Sequence, residues 1–111
     1  MIKCILLIPL RYNDGTEMAR QIIIRFMDGV YDKFGGISQA GRIRGVYRMA
    51  DGSRAFDELL EVWVGLEPDQ VPALERMAAQ LASTLHQESI WLEVGAADIR
   101  LVRPDQESEE E

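Results

Sequence analysis

Nine consecutive residues, Ile2 to Leu10, contain one charge, Lys3, and are otherwise apolar side chains with a cysteine and a proline. Alternate residues of an extended chain face opposite ways, so this run sets apolar groups on both faces of one strand. Such a strand belongs in the middle of a sheet, with cover on each side. Pro9 cannot donate to a ladder and marks the strand's end. The run is about half the length a membrane span needs, and it lacks the basic leader and small-residue cleavage site of a signal peptide. A cytoplasmic chain with no membrane contact is expected.

After Pro9 the period changes. Asn13, Asp14 and Thr16 offer capping oxygens, and Gly15 gives the backbone freedom to turn. From Glu17 to about Lys33 the pattern is helical: Met18, Ile22, Phe26 and Val30 recur at a spacing of four, flanked by Ile23, Met27 and Tyr31. Phe34 extends the stripe, and Gly35 or Gly36 ends the helix. Residues 37–66 read as a long hairpin centred on Asp51-Gly52, the signature of a two-residue type I′ turn. That turn places Arg48 opposite Ala55, Val46 opposite Asp57, Arg44 opposite Leu59 and Arg42 opposite Glu61, unless a bulge shifts the pairs. A second helix follows, with Pro68 or Pro72 in its first turn and Val71, Leu74, Ala78, Leu81 and Leu85 as its buried stripe. Residues 88–94 form another strand, 95–97 a turn and 98–103 a short last strand. The order is β-α-β-β-α-β with a short C-terminal strand. It most economically builds an α+β, ferredoxin-like domain: an antiparallel sheet with two helices on one face.

The chain's 111 residues suit one domain over 1–103. Five of the seven net negative charges lie in 104–111, "PDQESEEE", which reads as an acidic disordered tail and leaves −2 for the folded part. Neither portion offers the basic surface that a phosphate backbone demands, so nucleic acid is not an expected partner. One cysteine, Cys4, and one histidine, His86, are too few for a metal site, and nothing calls for a cofactor. Cys4 sits in the first apolar run as a buried, inert thiol.

Helices on one face leave the other open. Strand alternation puts Leu60, Val62 and Val64 under the helices and Leu59, Glu61 and Trp63 outside. Ile90, Leu92 and Val94 likewise point in, with Trp91 and Glu93 out. The expected hairpin pairs add Arg42, Arg44, Val46, Arg48 and Asp57 to the open face. Three readings fit: a homodimer interface, where Trp and Arg are enriched; a solvated ladder of charge pairs; and a pocket for a small anionic ligand. The dimer is the first of these, since two exposed tryptophans are an unusual patch on a monomer.

Two polar segments add candidates for binding. The stretch "RYNDG" is what a strand-to-helix turn wants from Asn13 to Thr16, but Arg11 and Tyr12 exceed that need and stand where helix N–H groups favour anions. The stretch "HQES" ends the second helix, with His86, Gln87 and Glu88. The candidate residues are therefore Arg11, Tyr12, Asn13, Asp14, Arg48, Glu61, Trp63, His86, Gln87, Glu88 and Trp91. No nucleophile triad, phosphate loop, zinc or kinase signature is present.

"IPLRYNDG", the helix ending in "FGG", "YRMADGS", "LEVWV" and "HQES" together resemble an uncharacterised family of small bacterial ferredoxin-like proteins. That family shows Gly-Gln-Glu where His86-Gln87-Glu88 stands here, and the resemblance covers most of residues 5–94. It implies the fold and carries no activity, cofactor or partner. The function expected is a homodimeric ligand- or protein-binding or regulatory module without catalysis. One alternative is a small dimeric α+β-barrel enzyme, cofactor-free monooxygenase- or isomerase-like by fold analogy, needing an apolar pocket lined by Tyr12, His86, Glu88 or Trp91. Another is an acidic inhibitor of a nucleic-acid enzyme.

Overall fold

The computed structural model of the chain describes residues 1–12, 14–48, 50–87, 89–95 and 104. Asn13, Glu88, most of the expected turn at 95–97, the expected strand at 98–103 and the tail beyond Pro104 lie outside the described residues. The elements run β1 (Ile2–Pro9), α1 (Arg20–Phe34), β2 (Ser38–Arg48), β3 (Arg54–Leu66), α2 (Val71–Thr84) and β4 (Trp91–Val94), with a 3-10 turn over Pro68–Gln70 leading into α2. All neighbouring strands are antiparallel in the order β2-β3-β1-β4, the ferredoxin-like plan. β1 is central, paired at both edges, and of its two apolar faces one lies under the helices while the other, Ile5 and Leu7, has no helix over it among the described residues. Among the described residues no helix is long and apolar enough to cross a membrane.

The core lies between the sheet and the two helices. Cys4, Leu6 and Ile8 of β1 and Val62, Val64 and Leu66 of β3 are at most 1% exposed. They meet Ile23, Phe26 and Val30 of α1, and Leu74, Ala78 and Leu81 of α2 with Leu85 just beyond it. Each fully buried leucine or valine here contributes about 1.5–3 kcal/mol of transfer free energy. Burial pushes the Cys4 thiol up, away from reactivity. Tyr31, expected beside the α1 stripe, is 58% exposed instead, because it falls off the Ile23–Phe26–Val30 line.

α1 starts at Arg20, three residues later than the periodicity predicts, and the Asp14 and Thr16 oxygens are used elsewhere. The Asp14 carboxylate accepts from the Thr16 N–H (3.0 Å) and hydroxyl (2.6 Å). The Tyr12 N–H donates to the Thr16 carbonyl at 2.8 Å and the Met18 N–H to that of Leu10 at 2.9 Å. With the Arg11–Glu17 bridge, residues 10–12 and 16–18 thus pair as a miniature hairpin, and Ala19 is left as an N-cap without a side-chain oxygen. At the other end Gly35, at φ 86°, closes α1 by donating to the Tyr31 carbonyl at 2.8 Å.

The hairpin register differs from the expected one by a single residue, and the consequence is large. Arg48 faces Arg54, Val46 faces Phe56, Arg44 faces Glu58 and Arg42 faces Leu60. Asp51 does not sit in a two-residue turn. Its carboxylate holds the Ser53 N–H (2.9 Å) and hydroxyl (2.6 Å), and the connection lengthens to residues 49–53. A one-residue slip turns every side chain to the opposite face. Arg42, Arg44, Val46 and Arg48 therefore lie on the helix side, while Gly41, Ile43 and Gly45 take the open face. A bulge between Gln39 and Gly41, where Gly41 has φ 130°, returns Gln39 to the helix side opposite Val62. β1 pairs only with residues 59–66 of β3, so residues 54–58 and their β2 partners extend past Pro9 as a two-stranded arm.

Candidate functional site

The miniature hairpin braces the base of that arm. The Leu10 N–H donates to the Glu58 carbonyl at 2.9 Å, and the Arg11 Nε donates to the Glu58 carboxylate at 3.0 Å. Arg11 also donates to the Gly15 carbonyl at 3.2 Å and lies 3.6 Å from the Glu17 carboxylate. Arg42 reaches the other Glu58 oxygen at 3.6 Å. Glu58 is thereby clamped between two guanidiniums from different elements. Its carboxyl is held below the usual carboxylate range, chiefly by the Arg11 hydrogen bond; desolvation opposes this, and the charges of Arg11, Arg42 and Arg44 add to the lowering.

Between this clamp and the first two turns of α1 lies a cleft of about 330 Å³. Its rim is charged: Arg11, Glu17, Arg20, Arg42 and Glu58. The floor is apolar, from Leu10, Met18, Ile23, Ile24, Met27 and Leu60. Gln39 closes one side, its amide donating to the Met27 sulfur at 3.6 Å. Among the described residues no hydroxyl, thiol, imidazole or amine lines the cleft, guanidiniums do not release protons, and the Glu58 carboxylate, held low, is a weak base. The arrangement suits holding a ligand better than moving a proton.

The candidates divide among three places. Arg11 belongs to the cleft. Tyr12 is half-buried against the core, and Asp14 is exposed and engaged by Thr16. His86 and Gln87 form the C-terminal cap of α2: the His86 N–H donates to the Ser83 carbonyl at 3.2 Å and the Gln87 N–H to that of Ala82 at 2.8 Å, the two bonds of a Schellman motif. His86 accordingly has φ 54° and is exposed. The three main clefts of the described residues include none of Tyr12, His86 and Trp91, so they do not supply the pocket that the barrel-enzyme reading requires.

Glu61, Trp63 and Trp91 do share the open face, as alternation predicts. Trp63 pairs with Ile5 and Trp91 with Leu7, so Trp63, Ile5, Leu7 and Trp91 make a diagonal apolar stripe across three strands. Trp63 is 38% and Trp91 60% exposed. The Lys3 ammonium sits 3.3 Å above the Trp63 ring, and the indole N–H donates to Glu61 at 3.0 Å, which together fix the ring's orientation. Arg48 does not join them. The Gly41 that pairs Glu61 is seven residues up the strand, roughly 23 Å away at about 3.3 Å per residue. Sequence reasoning missed Glu58, Glu17, Arg20 and Gln39 and put Arg42 on the wrong face. The alternation of Arg42 and Arg44 against Glu58 would have shown the clamp had the true register been known.

Neither a protein-family profile nor a curated protein matches the chain. Solved structures do. A phage SAM lyase in complex with S-methyl-5'-thioadenosine is 16% identical with a TM-score of 0.65, covering 85% of this chain and 79% of its own. The same lyase in its apo state gives a TM-score of 0.63 over 85% and 78%. The divalent cation tolerance protein Cut A1 from Thermus thermophilus is 8% identical with a TM-score of 0.58, covering 98% and 91%. At these identities the likeness is one of fold.

Proposed function

We propose that the chain is a homodimeric binding module, joined through the open face of its sheet and working in the cytoplasm. The observation that carries this reading is the Trp63–Ile5–Leu7–Trp91 stripe, an apolar diagonal that no helix of the described residues covers. Tryptophans on a bare sheet are costly in water and are the side chains that dominate association energies. Lys3 and Glu61 hold Trp63 in one orientation beforehand, which lowers the entropy lost on docking. The free Cys4 thiol accords with a reducing compartment. Light scattering of the wild type and of Trp63→Arg tests the interface. Wild type at twice the monomer mass, with a folded monomeric variant, supports it. A monomeric wild type overturns it.

One specific observation favours a second reading, an enzyme acting on an adenosyl-sulfur compound. The fold matches, over most of both chains, a lyase solved with S-methyl-5'-thioadenosine bound. Incubation with S-adenosylmethionine and chromatography for released S-methyl-5'-thioadenosine decides it. Release supports the enzyme; a flat trace, with no binding of either compound, removes it.

A further inference from the structure

The register that takes Arg42 off the open face delivers it to the cleft beside α1, and the ligand chemistry of that cleft can be read from its lining. We propose that it binds a small amphiphilic acid: the anionic head, a carboxylate or phosphate monoester, on Arg20 and Arg42, and the apolar body on Ile23, Ile24, Met27 and Leu60. The inference does not rest on the dimer, since none of these residues belongs to the open-face stripe.

Three independent features converge on it. The volume, about 330 Å³, lies in the range of small-molecule sites, with six apolar side chains beside five charged ones. The rim carries three guanidiniums against two carboxylates, a local positive excess in a chain whose net charge is −7. Glu58 is already engaged by Arg11, and Glu17 lies against the same guanidinium. Arg20 has no carboxylate partner among the described residues, and Arg42 meets Glu58 only at 3.6 Å with its side chain 71% exposed. These two forks thus retain donors for a planar or tetrahedral anion, which arginine binds in bidentate fashion. Finally, the cleft adjoins the start of α1, whose Ala19 N-cap supplies no side-chain oxygen, so the positive end of that helix dipole lies beside Arg20. A neutral apolar ligand would leave the guanidiniums unused, and a bare inorganic anion would leave the floor unused.

Titration calorimetry of the full chain with octanoate, octyl phosphate and octan-1-ol tests the proposal. Saturable one-to-one binding of at least one acid, about tenfold or more tighter than the alcohol, is expected. The tighter of octanoate and octyl phosphate identifies the head group. The double variant Arg20→Ala/Arg42→Ala should lose about tenfold in acid affinity while its circular dichroism is unchanged, and the exposed-helix control Arg76→Ala should bind like wild type. Trp63→Arg should bind like wild type too, which separates this site from the dimer. If the double variant fails to fold, amide shifts of the wild type on adding the acid decide, and they must cluster at residues 20–24 and 39–42. Equal affinity for alcohol and acids, acid binding that survives the double substitution, shifts located elsewhere, or no saturable binding up to about 10 mM each overturns the proposal.

Discussion

His86 holds a backbone torsion, φ 54°, that costs any residue with a Cβ about 1 kcal/mol or more and costs glycine little. The Schellman bonds at Ser83 and Ala82 require that torsion, so the strain is the cost of closing α2 with a histidine. His86→Gly should therefore raise stability by roughly 0.5–1 kcal/mol, seen as a higher urea midpoint at unchanged slope. An unchanged or lower midpoint would show that the imidazole makes a compensating contact. A glycine at position 86 meets that torsion without a Cβ to strain. Glu58 is the second residue whose setting has a measurable consequence. Its folded carboxyl is lowered from the ordinary value by the Arg11 hydrogen bond first, then by the neighbouring guanidinium charges. A lowered carboxyl stabilises the fold fully above its unfolded value, and that stability is lost as pH falls through the folded value. Denaturation of the wild type and Glu58→Gln across the acid range should show a steeper loss in the wild type below the ordinary carboxylate range and parallel curves at neutral pH. Equal acid slopes would mean that Arg11 does not hold the carboxylate in solution.

The arm is the element whose stability stands apart. β1 is flanked by β3 and β4, whereas residues 54–58 of β3 pair with β2 alone. Phe56 and Val46 face each other there at 73% and 58% exposure, so that cross-strand pair buries little. Like-charged Arg48 and Arg54 meet at its tip. Hydrogen exchange should find the amides of residues 44–48 and 54–58 opening at far lower free energy than those of residues 4–8 and 60–64, with protection rising at Glu58, where Leu10 and Arg11 brace the ladder. Uniform protection along β3 would refute the picture of a separately fraying arm. The same element shows where the sequence stops being legible. The strand order, the two helix stripes and the faces of β3 follow from the sequence pattern, because α1, α2 and β3 each bury one continuous set of side chains. β2 buries no such set: Ile43 and Val46 point to opposite faces and most of its other residues are polar or glycine. Without a buried stripe, the register rests on the connection, and there the two bonds that Ser53 donates to Asp51 stand in place of the two-residue turn that Asp-Gly advertises. The cleft was illegible for the same reason, since its clamp exists only in the true register.

At the scale of the whole molecule, the two faces of the sheet have different tasks to answer for. One is sealed by α1 and α2 and carries the cleft at its margin; the other presents a tryptophan-rich diagonal with Glu61 and Glu93 beside it. The chain has only two tryptophans, both on that open face, so its fluorescence under selective tryptophan excitation reports the proposed interface. Association should desolvate both indoles. Raising the protein concentration through the dissociation range should then shift emission to shorter wavelength and weaken acrylamide quenching, and the melting temperature should rise with concentration as mass action requires. Trp63→Arg should abolish the concentration dependence of both, while its far-ultraviolet circular dichroism stays that of the wild type, because position 63 points away from the Val62–Val64 core. An emission maximum and melting temperature that stay constant with concentration, in a protein already of twofold mass, would place the dimer contact elsewhere on the surface. The exposed Val46–Phe56 pair of the arm would then be the next contact to substitute, since Phe56 is the most exposed of the large apolar side chains among the described residues.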